Sequence, residues 1–219
     1  MKLANISLSV MTLLLAAAPA MSADLSVQGQ VITSQGTVSS GKTEFTDAAG
    51  TTSTDDNGGK SKSITAPGVG VNAQYHVTDR VSVGGGLAWV YYDGGKEKGQ
   101  YNDFSVAANG SYDFLKLDAL ALYGTAGISY HLLDPKDQKN DLVKQDFKSA
   151  DLLNYDLGVG ARYELVKNVN LGLAYRFSDT LAKGTFDSTA VIATESSKTK
   201  AKDIGLQQNE LIASVGYSF

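Results

Sequence analysis

The sequence contains no cysteine and only 3 prolines, and it has little net charge of either sign. Without cysteine the chain needs no disulfide in an oxidising compartment, and it cannot carry a lipid on a first cysteine. A formal net charge of −4 is too small to indicate binding to nucleic acid or to an anionic membrane surface. Beyond residue 23, no run of about 18 apolar residues predicts a transmembrane helix.

The first residues have the pattern of a secretory signal peptide. A short positive start at Met1 and Lys2 is followed by an apolar stretch over 8–18 and by small residues up to position 23. The apolar stretch is too short to span a bilayer. We therefore expect a cleaved signal peptide over 1–23, cut after Ala20, Ser22 or Ala23, and one mature domain over 24–219. A retained signal anchor is the alternative.

Alternation of apolar and polar residues, the period of a half-buried β-strand, recurs along the rest of the chain. The clearest segments are 155–165 and 169–177, in which Tyr, Leu, Val and Phe alternate with glycine and polar residues. No stretch has a convincing helical period of 3.6 residues. We predict an all-β fold with strands in eight segments: 25–31, 69–77, 81–91, 104–114, 120–130, 155–165, 169–177 and 211–219.

The predicted strands are joined alternately by short and long links. Short turns at one end and long loops at the other are the plan of a barrel in a bacterial outer membrane. We therefore predict an eight-stranded antiparallel up-and-down transmembrane β-barrel with short periplasmic turns and long extracellular loops. A soluble lipocalin-like barrel is the alternative, but its apolar face would point inward. The short links are 78–80, 116–118 and 167–168, and the long links are roughly 36–62, 93–100, 133–148 and 179–203.

Aromatic residues stand at both ends of the apolar faces. Amphipathic rings gather at the two membrane–water boundaries of such barrels, so we expect the apolar face to meet lipid and the other face to line the lumen. The predicted girdle residues are Trp89, Tyr91, Tyr112, Tyr163, Tyr175 and Phe177.

The face opposite the aromatic residues carries charged side chains. Eight strands enclose an interior that side chains can fill, and charges buried there must be paired. We expect a filled, hydrogen-bonded lumen rather than an open pore, with a narrow small-solute channel as the alternative. The predicted lumen residues are Asp113, Asp156, Arg162, Glu164 and Arg176.

The last predicted strand carries Val215, Tyr217 and Phe219 on one face and ends on the aromatic ring. This ending, together with segments 155–163 and 171–177, resembles the small outer-membrane barrels of the Ail/OmpX, OmpA transmembrane-domain and opacity-protein type. The resemblance implies that these three residues form a C-terminal signal read by the barrel-assembly machinery, with periplasmic chaperones as further partners.

The resemblance also implies a setting and a role. It places the chain as a monomer among outer-membrane lipid and lipopolysaccharide, with a host-surface ligand as a partner and a role in adhesion, serum resistance or envelope maintenance. Loops held on a rigid scaffold would form the functional surface. We expect no nucleic acid partner, no cofactor and no metal. One departure is Ser214, which stands where the family's ending often has glycine.

Residues Gly36–Thr43 match the letters of a nucleotide-binding P-loop. A P-loop leads into a helix whose N-terminus holds phosphate. The residues that follow here are rich in Gly, Thr and Asp and would not start a helix. We interpret the segment as a flexible loop tip.

The chain has two histidines, and the alternation places His76 and His131 at opposite ends of the barrel, where they cannot share a metal. His131 has Ser129 on its own face and Asp134 three residues on. Outer-membrane barrels that modify lipid A resemble this in placing a His and a Ser near the outer half, so such an enzyme is the alternative function. Catalysis would need a third orienting group. Because residues i and i+2 of a strand are neighbours anyway, we expect no catalytic residue.

Overall fold

The computed structural model describes residues 25–56, 59, 63–93, 100–135, 138–140, 143–192 and 195–219. The predicted signal segment 1–23 lies outside these described residues. No helix within them is long and apolar enough to cross a membrane. They form the strands β1 (Leu25–Ser39), β2 (Lys42–Thr46), β3 (Thr52–Asp55), β4 (Ile64–His76), β5 (Val81–Asp93), β6 (Gln100–Leu117), β7 (Leu120–Pro135), β8 (Gln138–Asn140), β9 (Val143–Phe147), β10 (Ala150–Val166), β11 (Val169–Ala182), β12 (Gly184–Ile192) and β13 (Glu195–Ser218).

Eight of these strands form a closed ring in the order β1–β4–β5–β6–β7–β10–β11–β13. The ring closes because β13 pairs antiparallel with β1, from Ser26 opposite Ser218 to Ser39 opposite Gly205. Every other neighbouring pair is also antiparallel. Each predicted strand lies in one strand of the ring, so the predicted eight-stranded antiparallel barrel is confirmed.

Short turns join the ring strands at one end. Asp118 and Asn168 adopt left-handed backbone conformations there, with φ of 40° and 70°. Asp and Asn tolerate this region better than other side-chain-bearing residues, which suits them to tight hairpins. The third turn is held by the amides of Val77 and Thr78, which donate to the carbonyl of Val81 at 2.9 and 3.1 Å.

The two faces of the ring have opposite chemistry. Apolar side chains point outward, and Val31, Val159 and Leu173 are 64%, 58% and 56% exposed. Side chains of the other face are mostly polar and buried, among them Asn72 and Asp156. This is the lipid-facing arrangement that alternation predicts for a membrane barrel, and it excludes the lipocalin-like alternative, whose apolar face would be inside.

The predicted long loops are themselves largely β-structure, which corrects the expectation for 36–62, 133–148 and 179–203. Together with the first ten residues of β13, the strands β2, β3, β8, β9 and β12 form a sheet beyond the ring in the order β3–β2–β13–β12–β9–β8. We call it the outer sheet. Alternation does not reveal these strands, because both faces of a sheet in water can be polar. Residues 94–99 of the remaining link lie outside the described residues.

The segment with P-loop letters also lies in the β-structure. Gly36–Ser39 ends β1, and Lys42–Thr46 forms β2. The expected flexible loop tip is therefore wrong, because β1 and β2 both pair with β13 over these residues. No helix begins among residues 44–56, the described stretch that follows, so none there could hold phosphate at its N-terminus.

Two glycines make room for aromatic rings that lie across the lumen. A Cβ on Gly36 would stand 2.6 Å from the ring of Tyr92, and one on Gly160 would stand 2.6 Å from the ring of Tyr123. Any larger residue at position 36 or 160 would clash with the aromatic ring of Tyr92 or Tyr123. The interior of the ring is thus filled partly by aromatic side chains packed on bare backbone.

Candidate functional site

An apolar cluster fills the lumen at the end of the long links. We call it the apolar cap. Most of its members lie in the halves of the ring strands nearest the long links, and the stacked rings of Tyr92 and Tyr101, 4.7 Å apart, lie among them. Such burial removes apolar surface from water and leaves little space between the strands. The members are Ile32, Ile64, Ala66, Ala88, Val90, Tyr92, Tyr101, Leu133, Leu152, Ile204, Leu206 and Ile212.

A buried chain of polar side chains lies next to the apolar cap. The Nε2 atom of His131 lies 2.9 Å from Ser129 Oγ, and its Nδ1 atom lies 2.9 and 3.1 Å from the two carboxylate oxygens of Asp103. Ser129 Oγ also donates to Asp156 Oδ1 at 3.0 Å. Asp103, Ser129 and His131 are no more than 3% exposed. These residues come from β6, β7 and β10, which ring closure places side by side.

Ser129, His131 and Asp103 are arranged in the order nucleophile, base and orienting carboxylate. Their hydrogen bonds, however, already use the protons that catalysis would move. A hydroxyl has one proton to donate, and a carboxylate only accepts. Since Ser129 donates to Asp156, His131 must donate to Ser129 from Nε2 and to Asp103 from Nδ1. In this arrangement Nε2 of His131 is a donor to Ser129 and is not the acceptor that a general base needs.

The hydrogen bonds of Asp103 continue across the lumen to strands on the opposite side of the ring. Gln208 Nε2 donates to Asp103 Oδ2 and to the hydroxyl of Tyr92, both at 2.7 Å, and Tyr92 meets Ser34 Oγ at 2.6 Å. We call the connected set of Ser34, Tyr92, Asp103, Ser129, His131, Asp156 and Gln208 the lumen network. It ties together strands on both sides of the ring and fixes the orientation of the buried carboxylates.

Two ion pairs hold the charged residues that the sequence placed inside. Arg176 Nε donates to Glu210 Oε2 at 2.5 Å, and Glu210 is 2% exposed. Arg162 Nη2 contacts both oxygens of Asp113 at 3.2 and 2.9 Å. The guanidinium of Arg162 also lies 5.6 Å from the ring centre of Tyr123. Buried charges of this kind are tolerated because each has a close opposite partner.

Glu164 was expected inside the lumen, and its position differs from that of the other four predicted lumen residues. Its side chain is exposed at the end of the short turns, where its Oε1 accepts a bond of 3.4 Å from the amide of Asn168. A register irregularity follows between Glu164 and Val166. The strand therefore leaves the filled part of the ring at this point, and the carboxylate stays in water.

Sequence reasoning missed several members of the polar interior, among them Tyr92, Asp103, Gln208 and Glu210. The predicted strands stopped at residue 91 or began at 104 and 211, so these residues fell in or beside the long links. The ring strands in fact continue past the apolar band. Extending the inward-facing positions by one or two steps beyond Ser105 and Ile212 would have found Asp103, Gln208 and Glu210.

The predicted girdle residues stand on the outer face, near the two ends of the ring. Tyr112 and Tyr163 are 50% and 49% exposed near the short turns. Near the other end, the rings of Trp89 and Tyr91 stack at 6.4 Å, and Trp89 Nε1 donates to Asn102 Oδ1 at 3.2 Å. At the same end, Tyr175 bonds Asn209 at 2.5 Å, and Phe177 packs on Tyr155 at 6.2 Å. Their place at the membrane boundaries stays a prediction.

The C-terminal residues follow the same outer face. Val215 and Tyr217 are 58% and 42% exposed, and the ring of Phe219 meets that of Tyr217 edge-on at 4.9 Å. The amide of Phe219 donates to the carbonyl of Leu25 at 2.9 Å, next to the strand pair that closes the ring. Recognition of these residues by an assembly machinery stays a prediction.

One face of the outer sheet is a ladder of lysines and carboxylates. Lys200 and Lys202 alternate along β13 and so share a face. Lys202 pairs with Glu44 of β2, and Lys200 lies 4.0 Å from Asp187 of β12. Lys42 pairs with Asp56 at 3.2 Å. The charges on this face are largely neutralised within it.

We compared the chain with protein families and with solved structures of known proteins. The family model described as outer membrane protein beta-barrel domain matches residues 8–219. Neisserial surface protein A shares 16% identity, with 90% of this chain and 98% of that chain covered at a TM-score of 0.56. OprG from Pseudomonas aeruginosa shares 13% identity, with 87% and 95% covered at 0.48. Ail, the attachment invasion locus protein of Yersinia pestis, shares 14% identity, with 88% and 98% covered at 0.41. No curated protein matches the sequence. At 16% identity, the likeness to Neisserial surface protein A concerns the fold alone.

Proposed function

Because the chain belongs to the outer membrane protein β-barrel domain family, we propose that it is a non-enzymatic surface-display barrel. In this proposal the outer sheet projects outside the cell and binds a host-surface ligand, while the ring serves as its anchor in lipid and lipopolysaccharide. The protein acts as a monomer, inserted by the barrel-assembly machinery after passage with periplasmic chaperones. A role in envelope maintenance is the second use of the same scaffold.

The observation that carries this proposal is the length of the strands outside the ring. A transmembrane strand needs about 9–11 residues, whereas β13 has 24. The additional length is paired on both sides, with β12 and with β2. A rigid, hydrogen-bonded platform of this kind presents side chains in fixed positions, which lowers the entropy lost when a partner binds.

The test removes part of the platform and keeps the ring. In one variant, residues 41–59, which include β2 and β3, are replaced by a short Gly/Ser linker. Whole cells expressing it should lose binding to host matrix proteins or complement regulators. The barrel should still show the heat-dependent gel shift of the folded form, because loop changes cost little entropy. A control variant carrying Lys167→Asn and Asn168→Gly alters a periplasmic turn and should bind normally. Normal binding without residues 41–59 would contradict the proposal.

We also propose that the lumen does not conduct. The apolar cap and the lumen network support this, because together they fill the ring at the long-link end. Purified barrels in planar bilayers should show no stable single-channel current. Steady channel steps from the unaltered protein would favour the narrow-channel alternative.

One observation favours the lipid A-modifying alternative. Ser129, His131 and Asp103 are in contact in the order nucleophile, base and orienting carboxylate. Two observations count against it: Ser129 is 3% exposed, so its hydroxyl is out of reach of a lipid, and that hydroxyl already donates to Asp156. Lipid A from expressing cells should keep its mass, with or without His131→Asn. A mass change that disappears in the His131→Asn variant, while the barrel stays folded, would replace the binding proposal with the enzyme.

A further inference from the structure

A cavity of about 220 Å³ opens at the short-turn end of the lumen, on the opposite side from the apolar cap. In the orientation typical of outer-membrane barrels, this end faces the periplasm. Pockets for drug-sized ligands enclose roughly 300–1,000 Å³, so this one suits a smaller molecule. It is separate from the outer sheet and from the lumen network.

The cavity is lined by charges of both signs. Lys116 and Arg162 supply the cations, and Asp118 and Glu164 supply the anions. Lys116, Asp118 and Glu164 are exposed at the rim, whereas Arg162 lies deeper and is anchored by Asp113. That ion pair uses only Nη2 of the guanidinium, which has five N–H donors in all.

A buried hydroxyl in the same lining lacks a partner. Ser26 is 2% exposed, and its Oγ makes no hydrogen bond to any described residue. Buried polar atoms are rarely left unpaired, since an unsatisfied group costs free energy that a bound molecule recovers. Ser26 lines the cavity together with Asn170 and Ser218, so donors and acceptors surround the space.

We propose that this periplasmic cavity binds a small zwitterion, an amino acid or a dipeptide. Its carboxylate would meet Arg162 and Lys116, and its ammonium group would meet Glu164 and Asp118. Asp113 already pairs with Arg162, so a simple anion meets little net attraction and two repelling carboxylates, and a simple cation is repelled by Lys116. A molecule with both charges can place its ammonium group beside Asp118 and Glu164, and its carboxylate beside Lys116 and the N–H groups of Arg162 that Asp113 does not use. Ser26 supplies a further hydrogen bond.

The test uses the folded mature chain in lipid nanodiscs and glycylglycine as the probe. Amide NMR shifts of Ser26, Asn170 and Ser218 should move in a saturable way. N-acetyl-glycylglycine lacks the ammonium group, and glycylglycine amide lacks the carboxylate. Each blocked peptide should bind roughly tenfold more weakly, since each lacks one charge-assisted interaction.

Variants locate the binding to the cavity. Lys116→Gln and Glu164→Gln each remove one rim charge and should weaken glycylglycine binding by about fivefold or more. Lys183→Gln changes the same charge outside the cavity lining and should leave affinity unaltered. Arg162 is left intact because its loss would strand the buried carboxylate of Asp113. The heat-dependent gel shift verifies that every variant is folded.

Three results would overturn the proposal. The first is an absence of saturable shifts with glycylglycine, which would mean that the cavity holds water alone. The second is equal affinity for the blocked and unblocked peptides. The third is equal affinity for acetate, with no effect of Glu164→Gln, which would define a plain anion site. These measurements are independent of the host-binding test. The outcome for the variant that lacks residues 41–59 changes none of them.

Discussion

The ring and the outer sheet are built on one continuous strand, yet their sequences follow different rules. In β13, residues 205–218 pair with β1 and β11, and residues 195–204 pair mainly with β12 and β2. Both halves have a partner strand on each side, with β2 covering residues 198–202 of the upper half. In the lower half, Leu211 and Val215 are exposed on the outer face, whereas the upper half carries lysines at 198, 200 and 202 and no comparable row of apolar residues.

The difference shows that surroundings, rather than β-structure itself, produce the apolar alternation. Lipid requires an apolar outer face, and a filled lumen accepts a polar inner one. Water on both faces of the outer sheet imposes neither requirement. The two regions should therefore respond in opposite ways to the same kinds of substitution.

The largest expected effect comes from an unpaired charge inside the ring. Arg176→Gln leaves the buried carboxylate of Glu210 without its partner and should lower the free energy of unfolding by about 3–5 kcal/mol. Urea unfolding in lipid vesicles measures this change. Arg80→Gln, at an exposed turn, is the matched control and should have little effect. Adding Glu210→Gln to the Arg176 variant should recover part of the loss, and a further loss would contradict this account.

Adding a charge to an outward-facing position should lower the free energy of unfolding much more in the ring than in the outer sheet. Val159→Arg puts a cation into the lipid-facing belt and should cost about 2–4 kcal/mol if it lies near the bilayer centre. Thr54→Arg, on an exposed strand of the outer sheet, should stay within about 0.5 kcal/mol of the unaltered protein. The same unfolding measurement applies to both. Equal costs would mean that the outer sheet is not in water.

The aromatic side chain of Phe219 should matter more for assembly in cells than for the stability of the folded barrel. Phe219→Ser and Phe114→Ser each remove an aromatic ring near the short-turn end, and an aromatic contact contributes about 0.5–1.5 kcal/mol beyond burial. Both variants should refold comparably from urea in detergent. In cells, the amount of heat-modifiable barrel should fall several-fold more for Phe219→Ser. Equal cellular yields would remove the signal interpretation of Val215, Tyr217 and Phe219.

The smallest effect is expected for an ion pair in the outer sheet. Lys202→Gln breaks the contact with Glu44 at a partly exposed site, where such pairs contribute about 0.2–1 kcal/mol. Thermal unfolding at low and high salt measures it, and the difference from the unaltered protein should shrink as salt screens the pair. A loss as large as that of Arg176→Gln would refute the distinction between the two regions.

Sequence reasoning found the strands of the ring because lipid contact leaves a period-two signal in each of them. It placed Arg162 and Asp113 on the lumen face for the same reason. It also placed Glu164 on this face, but alternation does not show where the filled interior ends, and Glu164 lies exposed at the rim. It also treated β2 and β12 as loop, because neither sequence shows a sustained alternation of apolar and polar residues.

The sequence by itself determined the fold class, the number of ring strands and the face that meets lipid, because each depends on local alternation along one strand. Only the tertiary structure decided which charges meet. Arg162 and Asp113 are 49 positions apart, and Gln208 and Asp103 are 105 apart, so the pairing and curvature of the ring strands bring them into contact. The outer sheet was decided in the same way, by backbone hydrogen bonds that are open to almost any polar sequence.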